Sequence, residues 1–368
     1  MNSPSSFSTS LHIMTCIEIP IHLFGVYCIL LKTPTSMKSV KWPMLNLHVW
    51  SVLLDFSISC LTSPFVLFPA LAGFPLGVLK EFGMATSAQI YLIVWLFATV
   101  GVAILGMFEN RYYLLLAEPQ NSRWRHFRHP YLISNYVLAV LFFIPPYLRI
   151  PEQTAAVEGV LKLIPDLPIS IQNGPIFVLS TDISYPFFSV AGITLFLILE
   201  CSFFACPLSA HFKKRKTISQ KTTDLQKKFL YAMTIQIYTP LIILIIPLSY
   251  IGVSVSSSYH NQALNNFCFV IIALHGLAST ITMLMIHKCY REFCFSFFCI
   301  RIFHFKSSSE TPPVIESRRV SKIRIKSGQA RPGKDHKNEI TLSIVRLGYI
   351  HTYVRSAEFF RSDQQGQE

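Results

Sequence analysis

Charge is scarce in this sequence. Only 14% of its 368 residues are Asp, Glu, Lys or Arg, and 51% are hydrophobic, whereas about a quarter charged is usual for a soluble domain. A chain this poor in charge cannot coat a soluble surface before residue 300, so lipid is the expected solvent. Lys and Arg are missing from residues 1–17, so the basic n-region of a cleaved signal is absent and the first apolar run is expected to stay as a membrane span. No C-x-x-C pair occurs, and Cys16, Cys28, Cys60, Cys201, Cys206 and Cys268 lie within apolar runs, which argues against zinc and against a disulfide framework. No histidine is followed by Glu, so H-E-x-x-H is absent, and no Gly-rich loop is built to cradle phosphate. An enzyme is therefore not expected, and neither is a cofactor or a metal. N-x-Ser/Thr is missing too, so glycosylation offers no check on sidedness.

What the chain does have is long apolar runs. A helical span needs roughly 20 predominantly apolar residues, and seven such runs stand at about 11–31, 45–69, 88–108, 131–148, 186–209, 229–253 and 264–286. They are continuous, without the period-2 alternation of barrel strands, so the expected fold is an all-α membrane protein, a seven-transmembrane helix bundle. Pro20, Pro64, Pro145, Pro146, Pro240 and Pro247 interrupt these runs and are expected to kink helices, with Pro240 and Pro247 as hinges of the sixth.

Basic residues give the direction. Lys32, Lys38 and Lys41 fall in the loop 32–44; Arg111, Arg123, Arg125 and Arg128 in 109–130; and Lys213, Lys214, Arg215, Lys216, Lys221, Lys227 and Lys228 in 210–228. The alternate loops hold only Lys80, Arg149 and Lys162. Basic residues are retained in cytoplasmic loops, which puts the N-terminus outside and the C-terminus inside. The net charge of +13 then faces anionic cytoplasmic lipid and whatever docks there, not nucleic acid. The expected layout is an extracellular N-terminus at 1–10, a receptor-like bundle at 11–287, a juxtamembrane interfacial segment at 288–305 and a mostly disordered cytoplasmic tail at 306–368.

The third run ends in LGMFENRYY (105–113), where Glu109, Asn110 and Arg111 break the apolar pattern. Arg111 lies roughly 35 Å beyond Ala88 at ~1.5 Å per residue, at the inner boundary. It can snorkel to water or pair with a carboxylate, Glu109 being the nearest in sequence. One reading makes these residues only the point where the helix leaves lipid. The other rests on a resemblance. LHVWSVLLDFSIS (47–59), PFVLFPALAGFPLGVL (64–79), GMFENRYY (106–113) and LHGLASTITMLMIHKCYREF (274–293) together resemble nematode chemosensory serpentine receptors of the class H group in the Str superfamily. Glu109-Asn110-Arg111 resembles the Asp-Arg-Tyr position of rhodopsin-like receptors. That resemblance implies a plasma-membrane receptor of chemosensory neurons, binding a small-molecule ligand outside and activating a heterotrimeric G protein inside, with Arg111 released on activation. A transporter or ligand-gated channel is the alternative; matched broken helices in paired repeats would favour it, and no internal repeat is visible.

The sequence departs from that pattern in two places. Cys289 stands where the class has Pro in the stretch after span seven, so a less sharply bent junction is expected. No Cys lies between Cys60 and Cys201, so the second outer loop lacks the disulfide of rhodopsin-like receptors and is expected to be held by packing alone.

Glu18, Asp55 and Glu200 lie within spans, where a carboxylate costs several kcal/mol unless it faces the interior or water. Asp55 sits mid-span, either as a switch residue, as the resemblance implies, or as a satisfied structural group. Glu200 is expected to snorkel. Tyr91 and Trp95 share a helix face and, with Tyr185, Phe187, Phe188, Tyr238 and His275, are ligand-pocket candidates; the competing reading is core or lipid contact. Thr217, Ser219, Thr222 and Thr223 in the basic third inner loop are candidate phosphorylation sites, and Cys294 and Cys299 candidate acylation sites.

Overall fold

The computed structural model describes residues 3–117, 123–214 and 220–297. Seven helices are long and apolar enough to cross a membrane: Pro4–Leu31, Thr35–Thr62, Thr86–Ala117, Trp124–Tyr147, Ser184–His211, Thr234–Ser256 and Gln262–Ile286. They are called spans one to seven here. Span one begins earlier than its apolar run, because the Ser3 side chain accepts from the Ser6 N–H and Pro4 occupies the first turn, the place where a missing N–H costs nothing. Pro20, Pro240 and Pro247 lie inside helices that continue through them, as neighbouring groups in a bundle permit. Pro145 and Pro146 sit in a separate short turn of helix, Ile144–Tyr147.

The all-helical expectation needs one correction. Helix two does not run to residue 69: it loosens into a π-helical stretch, Ser57–Thr62, and stops at Ser63, whose φ of 40° is left-handed. Pro64 is therefore no mid-span kink but the first residue of a strand. Strands β1 (Pro64–Val66), β2 (Leu71–Pro75) and β3 (Phe177–Ser180) form an antiparallel sheet in the order β1-β2-β3. The β1–β2 turn closes with Leu67 N–H donating to the Ala72 carbonyl at 2.8 Å. Gly73 allows the close pairing, since a Cβ there would overlap the Phe65 carbonyl.

This sheet also corrects the expectation for the loop between spans four and five. Among the described residues every cysteine is free, yet packing is not the only tie. β3 pairs with β2, and Gln153 clamps Val178, its Nε2 donating to the carbonyl (3.1 Å) and its Oε1 accepting from the N–H (2.9 Å). From the start of span seven and the loop just before it, His260 Nδ1 donates to the Phe68 carbonyl (2.6 Å), which also accepts from Asn265 Nδ2 (3.1 Å), while Gln262 Nε2 donates to that of Val66 (3.1 Å). Glu152 caps the helix Gln153–Leu163 by accepting from the Thr154 and Ala155 N–H groups, each at 2.9 Å. These N–H bonds hold its carboxyl below the usual carboxylate range. Under the sheet, Phe65, Leu67 and Phe74 join Val160, Ile171 and Val178 of the loop and Leu11, Ile58, Leu96 and Ile272 of spans one, two, three and seven in one buried apolar core. The result is a cap over one end of the bundle.

At the opposite end, span seven stops at His287, whose backbone is extended (φ −82°, ψ 114°), and residues 288–297 form a further helical stretch. The break exists without the proline. That stretch turns back on span one: the Tyr290 hydroxyl lies 2.7 Å from Thr33 Oγ1, and Phe293 stacks on Phe24 at 6.1 Å. The remainder of the juxtamembrane segment and the tail lie outside the described residues.

Candidate functional site

Consider first the end of the bundle away from the sheet. Glu109 on span three is fully buried, and a buried carboxylate must find a cation or donors. Residues four apart share a helix face, so Glu109 and Tyr113 form one pair of neighbours and Trp124 and Arg128, at the start of span four, another. The two faces meet. Arg128 Nη2 lies 3.0 Å from Glu109 Oε2, Trp124 Nε1 donates to Oε1 at 2.8 Å, and the Arg128 guanidinium stacks 4.0 Å above the Tyr113 ring. The same Nη2 donates to Asn110 Oδ1 (3.2 Å), whose Nδ2 donates to the Ser39 carbonyl (3.1 Å).

Glu109, the nearest carboxylate open to Arg111 in the sequence, is instead paired with Arg128. Two residues along a helix turn a side chain through about 200°, so i and i+2 face apart. Arg111 lies near enough to His287, at the foot of span seven, for its charge to add to burial in pushing that imidazole down to about 4. His287 Nε2 donates to Gln236 Oε1 of span six at 3.3 Å. Arg111, at the end of span three, is thus near the His287 that joins the foot of span seven to span six.

A second polar cluster occupies the bundle interior. Asp55, 1% exposed, receives His275 Nδ1 at 2.9 Å and the Gly276 N–H at 3.3 Å, both from span seven. His22 Nε2 of span one lies 3.4 Å from its other oxygen, and His22 Nδ1 contacts Thr280 Oγ1 at 3.0 Å. His48 Nε2 donates to the His22 carbonyl (3.1 Å), and Glu18, one turn before His22, accepts from Ser59 (3.5 Å). Only glycine fits at 276, because a Cβ would overlap the Asp55 carboxylate. Interior polar groups of this kind tie helices together in a solvent that offers no other partners. Asp55 thus locks spans one, two and seven.

The pocket candidates do not converge. Tyr91 packs on the Tyr147 and Phe143 rings and donates to the Val140 carbonyl. Trp95 meets Trp50 edge to face at 6.0 Å. Tyr185 is exposed, with Arg149 stacked at 4.1 Å, and Phe187, Phe188 and Tyr238 are exposed as well. His275 belongs to the Asp55 cluster, its ring stacked on Phe97 at 6.2 Å. Glu200 does not snorkel. Its Oε2 is buried without a hydrogen-bond partner, and the carboxylate lies beside Tyr131 and Asn135 of span four. Cys294 is 2% exposed and burial pushes its thiol up, so acylation there requires the helical stretch to lift away. Cys299, Thr217 and Ser219 lie outside the described residues, as do the side chains of Thr222 and Thr223.

Sequence reasoning missed Arg128, Trp124, His22, His48 and Thr280. The signal for three of them was there: Glu18 and His22 are four apart in an apolar helix, and Trp124 and Arg128 are four apart at the start of span four.

A buried Glu109–Arg128 pair, with Arg111 next to it in sequence and near His287, lies at one end of a bundle of seven spans. The sequence profile described as serpentine type 7TM GPCR chemoreceptor Srh matches residues 2–300. The chain belongs to the Srh family of serpentine chemoreceptors. It is similar to the Caenorhabditis elegans protein named serpentine receptor class H-72, with 28% identity over 286 residues, which is 77% of this chain and 82% of that relative. Srh membership makes the chain a multi-pass membrane protein of a receptor family rather than an enzyme family.

Proposed function

We propose that this Srh protein is a plasma-membrane chemosensory receptor of nematode sensory neurons. It binds a small ligand from the sheet-capped end, which faces outside, and activates a heterotrimeric G protein at the Arg111 end, which faces the cytoplasm. The observation that carries this reading is the family match over residues 2–300, with Arg111 at the end of span three near His287 at the foot of span seven. The basic loop 210–228 and the cytoplasmic leaflet supply the electrostatic surroundings for docking.

The mechanism is a shift between two bundle states, and a ligand drives it only by its difference in affinity for them. In the state described here, Arg128 holds Glu109, Asp55 holds spans one, two and seven, and His287 joins the foot of span seven to Gln236. Outward movement of span six about Pro240 and Pro247 separates Gln236 from His287 and frees Arg111 to meet the G protein.

The test is Arg111→Ala at matched surface level, in cells expressing the receptor with a calcium or cyclic-nucleotide reporter and screened against a panel of small odorants. A response present in the parent and abolished in the variant is expected. An equal response from both contradicts the role of Arg111.

A further inference from the structure

Arg149 stands two residues beyond the end of span four, and Tyr185 is the second residue of span five. The two therefore meet at one boundary of the bundle, where the guanidinium stacks 4.1 Å from the Tyr185 ring centre. Both side chains are exposed. Among the described residues no carboxylate pairs with Arg149. The acids nearest in sequence to the pair are turned to backbone instead: Glu152 accepts from the Thr154 and Ala155 N–H groups, and Asp182 Oδ1 from the Ser184 N–H at 2.9 Å.

Stacking gives the free cation a direction. A guanidinium lying on a ring keeps its edge, and with it a fork of N–H donors, open. Such a fork matches two oxygens of a phosphate. Toward the spans, Leu148 and, at the start of span five, Phe187 and Phe188 are exposed and apolar. Away from the spans, Glu152 lies three residues beyond Arg149 and Asp182 three before Tyr185, both exposed. The clamp of Gln153 on Val178 ties these two stretches of chain together. A carboxylate that caps a helix still has lone pairs to spare. Leaving the membrane along either chain, the order is apolar, then the stacked cation, then a carboxylate.

That order is the complement of one ligand chemistry, an acyl chain followed by a phosphate followed by an ammonium. We propose that this corner binds a zwitterionic phospholipid, with its phosphodiester on Arg149, its choline or ethanolamine toward Glu152 and Asp182, and an acyl chain along Leu148 and Phe188. An anionic phospholipid brings no cation for the two acids, and free phosphate brings no chain for the apolar side. Held there, the lipid joins the end of span four to the start of span five at the rim of the cap. Only the choice of leaflet, the outer one, rests on the proposed function.

The experiment uses the full chain in nanodiscs, whose two leaflets are alike, so its outcome does not depend on which end faces outside. The matrix is phosphatidylglycerol with a trace of phosphatidylcholine carrying a diazirine on its headgroup; after photolysis the labelled residues are mapped by mass spectrometry. Label is expected to concentrate on residues 148–153 and 181–188. Changing the matrix to phosphatidylcholine should lower it about tenfold, a preference equivalent to about 1.4 kcal/mol, whereas inorganic phosphate in the buffer should leave it unchanged. Arg149→Gln should reduce label there to the level at the exposed Leu199 of span five, and Arg149→Lys should fall between, because an ammonium lacks the fork. Asp182→Asn should narrow the difference between the two matrices. Equal label in parent and Arg149→Gln would overturn the site. Equal label in the two matrices would overturn the choice of a zwitterion, and displacement by inorganic phosphate would overturn the lipid in favour of a free anion.

Discussion

Removing the Arg128 guanidinium strands Glu109 without a cation in a site closed to solvent. Breaking one partner of a buried pair costs about 3–5 kcal/mol, so Arg128→Gln should lower the thermal midpoint of the receptor in nanodiscs clearly, and adding Glu109→Gln should recover part of the loss. Equal midpoints for parent and single variant would remove this pair from the account. His287 gives the pH prediction. Burial and the Arg111 charge hold its folded pKa near 4, against 6.5 for the free side chain. Above 6.5 both folded and unfolded chains hold it neutral. As pH falls from there toward 4 the unfolded chain binds a proton that the folded one refuses, so stability declines, by up to roughly 1.4 kcal/mol per pH unit. Thermal midpoints measured across that window should flatten in His287→Gln; an unchanged slope would mean that another group titrates. At this scale the sequence shows which residues are unusual and not whom they meet. Asp55 and Glu109 stand out as acids in apolar runs. Their partners His22, His275 and Arg128 come from other helices, and nearness in sequence pointed to Arg111, which the helical turn directs the other way.

The elements divide in the same manner. Seven helices were legible because lipid demands about twenty apolar residues in a row, a signal that needs no knowledge of neighbours. The sheet was hidden in the same composition: PFVLFPALAGFP reads as more span, and only the left-handed Ser63 and the prolines betray that the chain has left the helix. The π-helical end of span two and the pairing of β3 with a strand a hundred residues earlier are tertiary facts. Gly73 is the point where the sheet is most exposed to a single change. Gly73→Val places side-chain atoms onto the Phe65 carbonyl, and crowding of this kind costs about 1–3 kcal/mol. A lower thermal midpoint and faster amide exchange at Leu67 and Val178 are expected, whereas unchanged exchange would show that the cap does not depend on close β1–β2 pairing.

For the whole molecule, the distribution of basic residues decides how everything else is interpreted. Lys and Arg crowd the loops at the Arg111 end and are scarce at the sheet end; under the proposed function this makes the capped end the one that meets ligand and the Arg111 end the one that meets a G protein. Family membership supplies the class of receptor; the direction in the membrane is an inference from charge. The measurement that tests it most directly is labelling of intact cells with a membrane-impermeant amine reagent, followed by peptide mapping. Lys80 and Lys162 should be modified on intact cells, while Lys227 and Lys228 should be modified only after permeabilisation. Modification of Lys227 and Lys228 on intact cells, with Lys80 and Lys162 protected, would contradict the orientation and the receptor mechanism built on it.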